Sequence, residues 1–437
     1  MGEYYLHEIL RAFTANPDVW KKTVLIITYD ENGGFFDHVL PPVPPLTSDI
    51  GSTSPGIVVT NGTTTRDVNS EATTTGSTQP LGMGIRVPTL VISPWSAGGR
   101  VCSEVFDHTS ALQFLDTWLA VKGKQTEGTQ FTNISSWRKA IAGDLTSAFD
   151  FNRVVPLIGP EQVVDTTKIG VTFTTTQQTN AKATKALKPN LTVYQAVPDT
   201  SKPATSKQDT ARCEILPLDY DFFVGCTIAT TGDGPQQVEY PIKNRGKLGA
   251  SFTVIPYDRT TQPFPKDGPW FFSVEGATPD KPVTIRANDG AYAAFGAANA
   301  TTNNYSYAVH GPNGYLFEFR GSAATPTEQI LPDITNAELA DGGRTIRFSL
   351  KWPTANGALK VTNAYTGDFR IVKAGTTTID IATADGWYDV AFIDDANTSR
   401  WLRRYAGHLE NGKIGKSDPA IGRQYDEVDR IYKTLTV

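Results

Sequence analysis

At 437 residues the chain is too long for one ordinary hydrophobic core, and two to four domains are expected. Hydrophobic residues make up 39% and charged residues 19%, so the chain can bury cores and is not disordered throughout. A net charge of -5 at pH 7 argues against a nucleic-acid binder, whose surface carries a basic face.

In chain order, Glu3 to Ala15 reads as a helix, with Tyr5, Leu6, Ile9, Leu10 and Phe13 at helical spacing and Asn16-Pro17-Asp18 ending it. Thr23 to Thr28 is a continuous apolar, β-branched run, the pattern of a strand buried on both faces in a parallel sheet. The strand stops at Asp30-Glu31-Asn32-Gly33-Gly34. Residues 47–86 are rich in Ser, Thr and Gly and read as a long loop over the active face. Val87 to Ser93 is a second buried strand, and Thr109 to Asp116 a helix capped by Thr109 or Ser110. After Phe151 the character changes to short alternating runs punctuated by Gly, Asn, Asp and Pro, which signals sandwich or barrel modules. Two such modules close on similar aromatic-basic strands, Tyr315 to Gly321 and Trp401 to Gly407, and read as a degenerate internal duplication.

No run approaches the ~20 apolar residues of a membrane-spanning helix, and Met1-Gly2-Glu3-Tyr4 leads into amphipathic sequence with no signal peptide. Cys102, Cys213 and Cys226 do not make a disulfide framework; a Cys213–Cys226 pair and three free thiols both fit. No C-x-x-C spacing supports a zinc site.

The chemistry concentrates in the first third. Asp30 and Glu31 follow the carboxyl end of a strand, where open α/β sheets bind ligands. Paired carboxylates there suit a divalent cation that would neutralise phosphate charge. Gly33-Gly34 permits a sharp turn, and Asp37-His38 follows closely. Taken alone, the segment reads as a polar turn. A second cluster changes that reading: Ser93 to Arg100 follows the second strand, and Glu104, Asp107 and His108 come next. Each of the two strands is thus followed by glycines, a carboxylate and an Asp-His pair.

These residues resemble the bacterial phosphocholine-specific phospholipase C and acid phosphatase family, of the alkaline phosphatase-like superfamily. The resemblance is carried by VLIITYDENGGFFDHVLPP (24–42), RVPTLVISPWSAGGRVCSEVFDHTSALQFLD (86–116) and NISSWRKAIAGDLTSAFDF (133–151). GWYDV (386–390) and RRYAGHLENGKIGKSDPA (403–420) are similar to the carboxyl-terminal modules of the phospholipase C branch. The resemblance implies an α/β fold with a mostly parallel sheet over 1–165, a linker and β extension over 166–235, and all-β sandwich modules over 236–323 and 324–437. It implies Asp30 and Glu31 as ligands of a divalent metal ion, His38 and His108 as catalytic histidines, and Asp37 and Asp107 as carboxylates orienting them. It also implies a phospholipid or phosphorylcholine ester substrate, peripheral membrane contact, and a secreted or periplasmic location. The family's Glu-Asn-Arg-Ser-Phe-Asp-type motif and Ser or Thr nucleophile have no counterpart in these 437 residues. The expectation is a carboxyl-terminal part that is inactive alone: a fragment, a truncated gene product, or a subunit whose amino-terminal half is supplied by another chain. Two alternatives remain at this stage: an acid phosphatase, and a lipid- or glycan-binding β-module protein with a relic catalytic half.

Overall fold

The computed structural model describes residues 2–34, 39–45, 50–60, 67–69, 79–126, 128, 131–152, 212–229, 237–256, 269–277, 304–322, 330–395 and 401–434. The first part holds α1 (Gly2–Thr14), α2 (Pro17–Trp20), β1 (Leu25–Thr28), β2 (Gly51–Thr53), β3 (Thr89–Ile92), α3 (His108–Val121) and α4 (Ser136–Ile141). The chain divides into two compact units. One contains residues 1–29, 88–99 and 149–209, and the other contains 30–87, 100–148 and 210–437.

In the first unit, α1 ends where expected. The Asn16 side chain accepts from Asp18 N at 3.0 Å and Val19 N at 3.3 Å, and Pro17 opens α2. The two apolar runs form strands, but the expected parallel sheet is corrected. β1 and β3 pair antiparallel, Leu25 opposite Ile92 and Thr28 opposite Thr89. They are half-buried rather than buried, and Leu90 is 44% exposed. The apolar pattern reports that a strand wants apolar neighbours on its faces. It carries no information about the direction of a partner some sixty residues away.

The second unit is dominated by β structure. Its strands are β4 (Phe222–Val224), β5 (Ile242–Asn244), β6 (Ala250–Pro256), β7 (Trp270–Val274), β8 (Asn304–His310) and β9 (Leu316–Ser322). They continue with β10 (Asp333–Ala340), β11 (Thr345–Lys351), β12 (Ala358–Asn363), β13 (Phe369–Lys373), β14 (Thr378–Ala382), β15 (Trp387–Asp394) and β16 (Leu402–His408). A hairpin of β17 (Arg423–Asp426) and β18 (Ile431–Thr434) follows. Nine strands form one sheet in the order β13-β12-β15-β16-β9-β8-β6-β7-β2. Within it the order β7-β6-β8-β9 is mirrored by β13-β12-β15-β16, in which each set of four takes the same sequential places. The duplication suspected from the two aromatic-basic strands is thus matched in topology. Those two strands, β9 and β16, pair antiparallel at the centre of the sheet, with Phe317 opposite Tyr405 and Glu318 opposite Arg404.

Alternation along β16 sends successive side chains to opposite faces. Tyr405 points inward, with ring centroids 5.9 Å from Phe317, 6.0 Å from Phe223 on β4 and 5.5 Å from Phe348 on β11. The second layer, made of β10-β11-β14 and β4–β5, therefore packs on that face of the large sheet through one core. The β modules expected at 236–323 and 324–437 share that sheet and core. On the other face Arg404 forms a bidentate pair with Asp389 at 2.8 and 2.6 Å and reaches Glu318 at 3.1 Å. Tyr432 donates to Asp389 at 2.8 Å, and the Tyr425 ring lies 3.5 Å from the guanidinium. Burial opposes the charge on Arg404, but the Asp389 and Glu318 carboxylates outweigh it and hold its pKa well above the ordinary value.

The segment read as a long loop over 47–86 contributes β2, which adds parallel to the β7 edge of the sheet, Ser52 opposite Phe272. Gly51 is required there. Its φ is +156°, and a Cβ would lie 1.7 Å from Phe271 O. α4 packs on the same edge through the buried Trp137, whose Nε1 donates to Ser273 Oγ at 2.9 Å. The three cysteines are free thiols. Among the described residues no helix is long and apolar enough to cross a membrane.

The charge cluster yields a stability prediction. Asp389→Ala leaves the buried Arg404 without its bidentate partner and should destabilise the fold by about 3–5 kcal/mol. Urea or guanidinium unfolding followed by tryptophan fluorescence measures it, and a cost below about 1 kcal/mol would contradict this account of the seam.

Candidate active site

Asp30 and Glu31 come directly after β1. Tyr29 N still bonds to Pro88 O at 3.1 Å, so the ladder runs to the last residue before the acidic pair. The chain then turns. Asn32 Oδ1 accepts from Gly34 N at 2.6 Å, and Gly33 and Gly34 take φ of 64° and 83°. This is an Asx turn with left-handed glycines, so the sequence folds here as its residues dictate. Both Asp30 and Glu31 are exposed. Asp37 and His38 lie outside the described residues.

The second cluster is built on α3. Asp107 is the N-cap: its carboxylate accepts from Thr109 N at 2.8 Å and Thr109 Oγ1 at 2.6 Å, while Ser110 Oγ accepts from Asp107 N at 3.0 Å. The cap is thus two residues before Thr109 and three before Ser110. The other Asp107 oxygen takes Arg138 Nη1 of α4 at 2.6 Å. Asp107 spends its hydrogen bonds on the helix start and on Arg138, and His108 stands exposed at the first helical position. Arg138 escaped the sequence reading. It lies thirty-one positions from Asp107, and nothing in the local pattern connects the two. Of the remaining histidines, His7 lies in α1, His310 in β8 and His408 in β16, with His408 Nδ1 2.9 Å from Glu410 Oε1.

A cleft of about 720 Å³ opens beside α3 and α4, lined among others by Glu104, Asp116, Asp144, Lys139, Lys247 and Glu275. Its carboxylates are engaged. Asp116 accepts from Gln125 Nε2 at 2.6 Å, and Asp144 from Thr117 Oγ1 at 3.3 Å. Glu104 accepts from the Ser147 hydroxyl, whose oxygen also lies 3.3 Å from Cys102 Sγ. Burial pushes the Glu104 carboxyl above its ordinary value despite the Ser147 hydrogen bond, and burial also raises the Cys102 thiol.

Among the described residues no group of three or more His, Cys, Asp and Glu side chains gathers around a metal-sized space. A hard divalent cation takes six or more oxygen ligands. Asp30 and Glu31 supply two adjacent carboxylates, and the described residues bring no third such ligand to them.

Residues 1–122 match the Phosphoesterase family, and residues 216–322 match the bacterial phospholipase C, C-terminal domain. The chain therefore joins a segment similar to phosphoesterases to one similar to the carboxyl-terminal domain of bacterial phospholipase C. A non-hemolytic phospholipase C of Burkholderia pseudomallei is 34% identical over 96% of this chain and 54% of its own length. A non-hemolytic phospholipase C of Pseudomonas aeruginosa is 31% identical over 96% of this chain and 55% of its own. Phospholipase C B of Mycobacterium tuberculosis is 42% identical over 35% of this chain and 26% of its own. The chain spans about half the length of the relatives that it matches along most of its sequence.

Two predictions follow from the two carboxylates in the phosphoesterase segment. Asp107→Ala removes both the cap and the Arg138 ion pair and should cost about 1–3 kcal/mol, with faster amide exchange in the first turn of α3. Unchanged exchange there would refute the capping role. Glu104 has a raised folded pKa, so its contribution to stability is full below about 4.5 and is lost as pH rises through the folded value. Glu104→Gln should therefore gain stability relative to the parent between pH 4.5 and neutrality, as read by thermal unfolding across that range. A pH-independent difference would show that burial does not perturb this carboxyl.

Proposed function

We propose that this chain is the carboxyl-terminal part of a phospholipase C-type phosphodiesterase acting on phosphatidylcholine-like or sphingomyelin-like lipids. The observation that carries the reading is the order along one chain. A phosphoesterase segment bearing Asp30-Glu31 and Asp107-His108 precedes a bacterial phospholipase C carboxyl-terminal domain, as in relatives named phospholipase C. In this proposal Asp30 and Glu31 are offered to a divalent cation whose other ligands lie outside the described residues. His38 and His108 contact the phosphate or its leaving group. Asp37 orients His38. Asp107 fixes the first turn of α3, with Arg138 bracing it, and so positions His108 through the helix rather than through its imidazole. The attacking hydroxyl comes from polypeptide beyond these 437 residues, because nucleophilic catalysis needs a nucleophile beside the metal. A secreted or periplasmic location accompanies this reading.

The test mixes the purified chain with the portion of the Burkholderia relative that precedes the matched region. Hydrolysis of p-nitrophenyl phosphorylcholine and of p-nitrophenyl phosphate is then followed. The diester should be turned over by the mixture and not by the chain alone, and Asp30→Asn or Glu31→Gln should lower the rate by at least about a hundredfold. Both carboxylates are exposed, so these substitutions should leave stability within about 0.5 kcal/mol of the parent. Preference for the monoester would favour a phosphatase. Turnover by the chain alone that survives Asp30→Asn would overturn the assignment.

A further inference from the structure

The duplicated halves of the nine-stranded sheet differ at their outer edges. β7 ends one half and is covered by β2, whereas β13, its counterpart by topology, pairs only with β12 among the described residues. The two edges also differ in chemistry. Along β13 Phe369 is 62% exposed and Ile371 is 44% exposed, and their spacing of two places both on one face of the strand. On that face the cross-strand neighbour of Ile371 is Lys360. The Lys360 Nζ lies 4.4 Å from the centroid of the Phe369 ring. Lys373, opposite Ala358, continues the row and is exposed, whereas Arg370 alternates to the other side of the strand and donates to the Asp380 carbonyl. The carboxylates around the hairpin are Asp368, which starts the strand, and Asp380. Asp380 is held by Arg347 at 2.7 Å in a two-pronged pair.

An exposed aromatic and an exposed isoleucine set beside two lysines are the elements of an interfacial lipid contact. The apolar groups enter the acyl boundary while the lysines meet the phosphates. Charge selects this occupant over a second copy. Antiparallel pairing of two β13 edges would bring Arg370 and Lys373 against like charges, and lysines on an edge strand act against such pairing.

We propose that the β12–β13 hairpin is a membrane-docking surface that seats the β domain on a phospholipid bilayer carrying anionic headgroups. Phe369 and Ile371 insert into the interface, and Lys360 and Lys373 face the lipid phosphates. This goes beyond the phosphodiesterase reading and does not depend on it, since docking requires no turnover.

The experiment is co-sedimentation of the full 437-residue chain with vesicles of phosphatidylcholine alone and of phosphatidylcholine with about 30% phosphatidylglycerol. The chain should pellet with the anionic vesicles, and less so as salt is raised. Lys360→Gln and Lys373→Gln should each weaken the apparent partition coefficient by roughly fivefold, and the pair Phe369→Ser with Ile371→Ser by at least as much. All variants should keep the parent unfolding midpoint, because the replaced side chains are on the surface. Pelleting unaffected by the variants, or no pelleting on anionic vesicles, overturns the proposal. Light scattering that shows a dimer dissolved by the same substitutions overturns it too, in favour of an interface between copies. A chain that docks but takes no part in hydrolysis would leave this surface standing and count against the catalytic reading alone.

Discussion

The pairing of β9 with β16 is the contact on which the β domain depends. Each strand closes one half of the duplicated sheet, and their ladder turns two halves into one sheet of nine strands. The seam is held differently on its two faces. Inside, Tyr405 gathers Phe317, Phe223 and Phe348, so burial of apolar area ties both halves to the second layer. Outside, Arg404 is locked between Asp389 and Glu318 beneath Tyr425 and Tyr432. A charge cluster this deeply buried contributes little net stability over an apolar replacement of equal shape. Its geometry does set register. A one-residue slip would turn Arg404 into the aromatic core and Tyr405 out toward Asp389.

The same sheet explains how α3 and α4 are anchored within the second unit. β2 extends the sheet at β7, Trp137 bonds Ser273 on that strand, and Arg138 of the same helix holds Asp107 at the start of α3. One short helix thus faces both the sheet and the acidic cap. The position of His108 follows from β-sheet packing through Ser273, Trp137, Arg138 and Asp107. Sequence distance hides that route entirely, since its members lie up to 166 positions apart.

The chemistry-bearing residues were legible because they sit in local patterns. Asp30-Glu31-Asn32-Gly33-Gly34 specifies its own turn, since an Asx hydrogen bond and positive-φ glycines need no tertiary help. The boundaries of α1, the start of α3 within a residue or two, and the aromatic-basic repeat were readable for the same reason. Helical period, capping chemistry and alternation are encoded over a few residues. The assembly of a complete site was not legible in the same way, because metal shells are closed by side chains that are far apart in sequence.

What the sequence determined by itself is the local menu: which runs become strands, where the acidic turn lies, and that two modules repeat. Only the tertiary structure decided that β1 meets β3 antiparallel, that a Ser-Thr-Gly loop lends β2 to the sheet, that Asp107 caps α3 and binds Arg138, and that the repeats fuse through β9 and β16. The physical reason is common to all four. Strand direction, edge addition, ion pairing and sheet fusion are relations between partners brought together by burial. The sequence of either partner alone states a preference for burial or charge and not the identity of its mate.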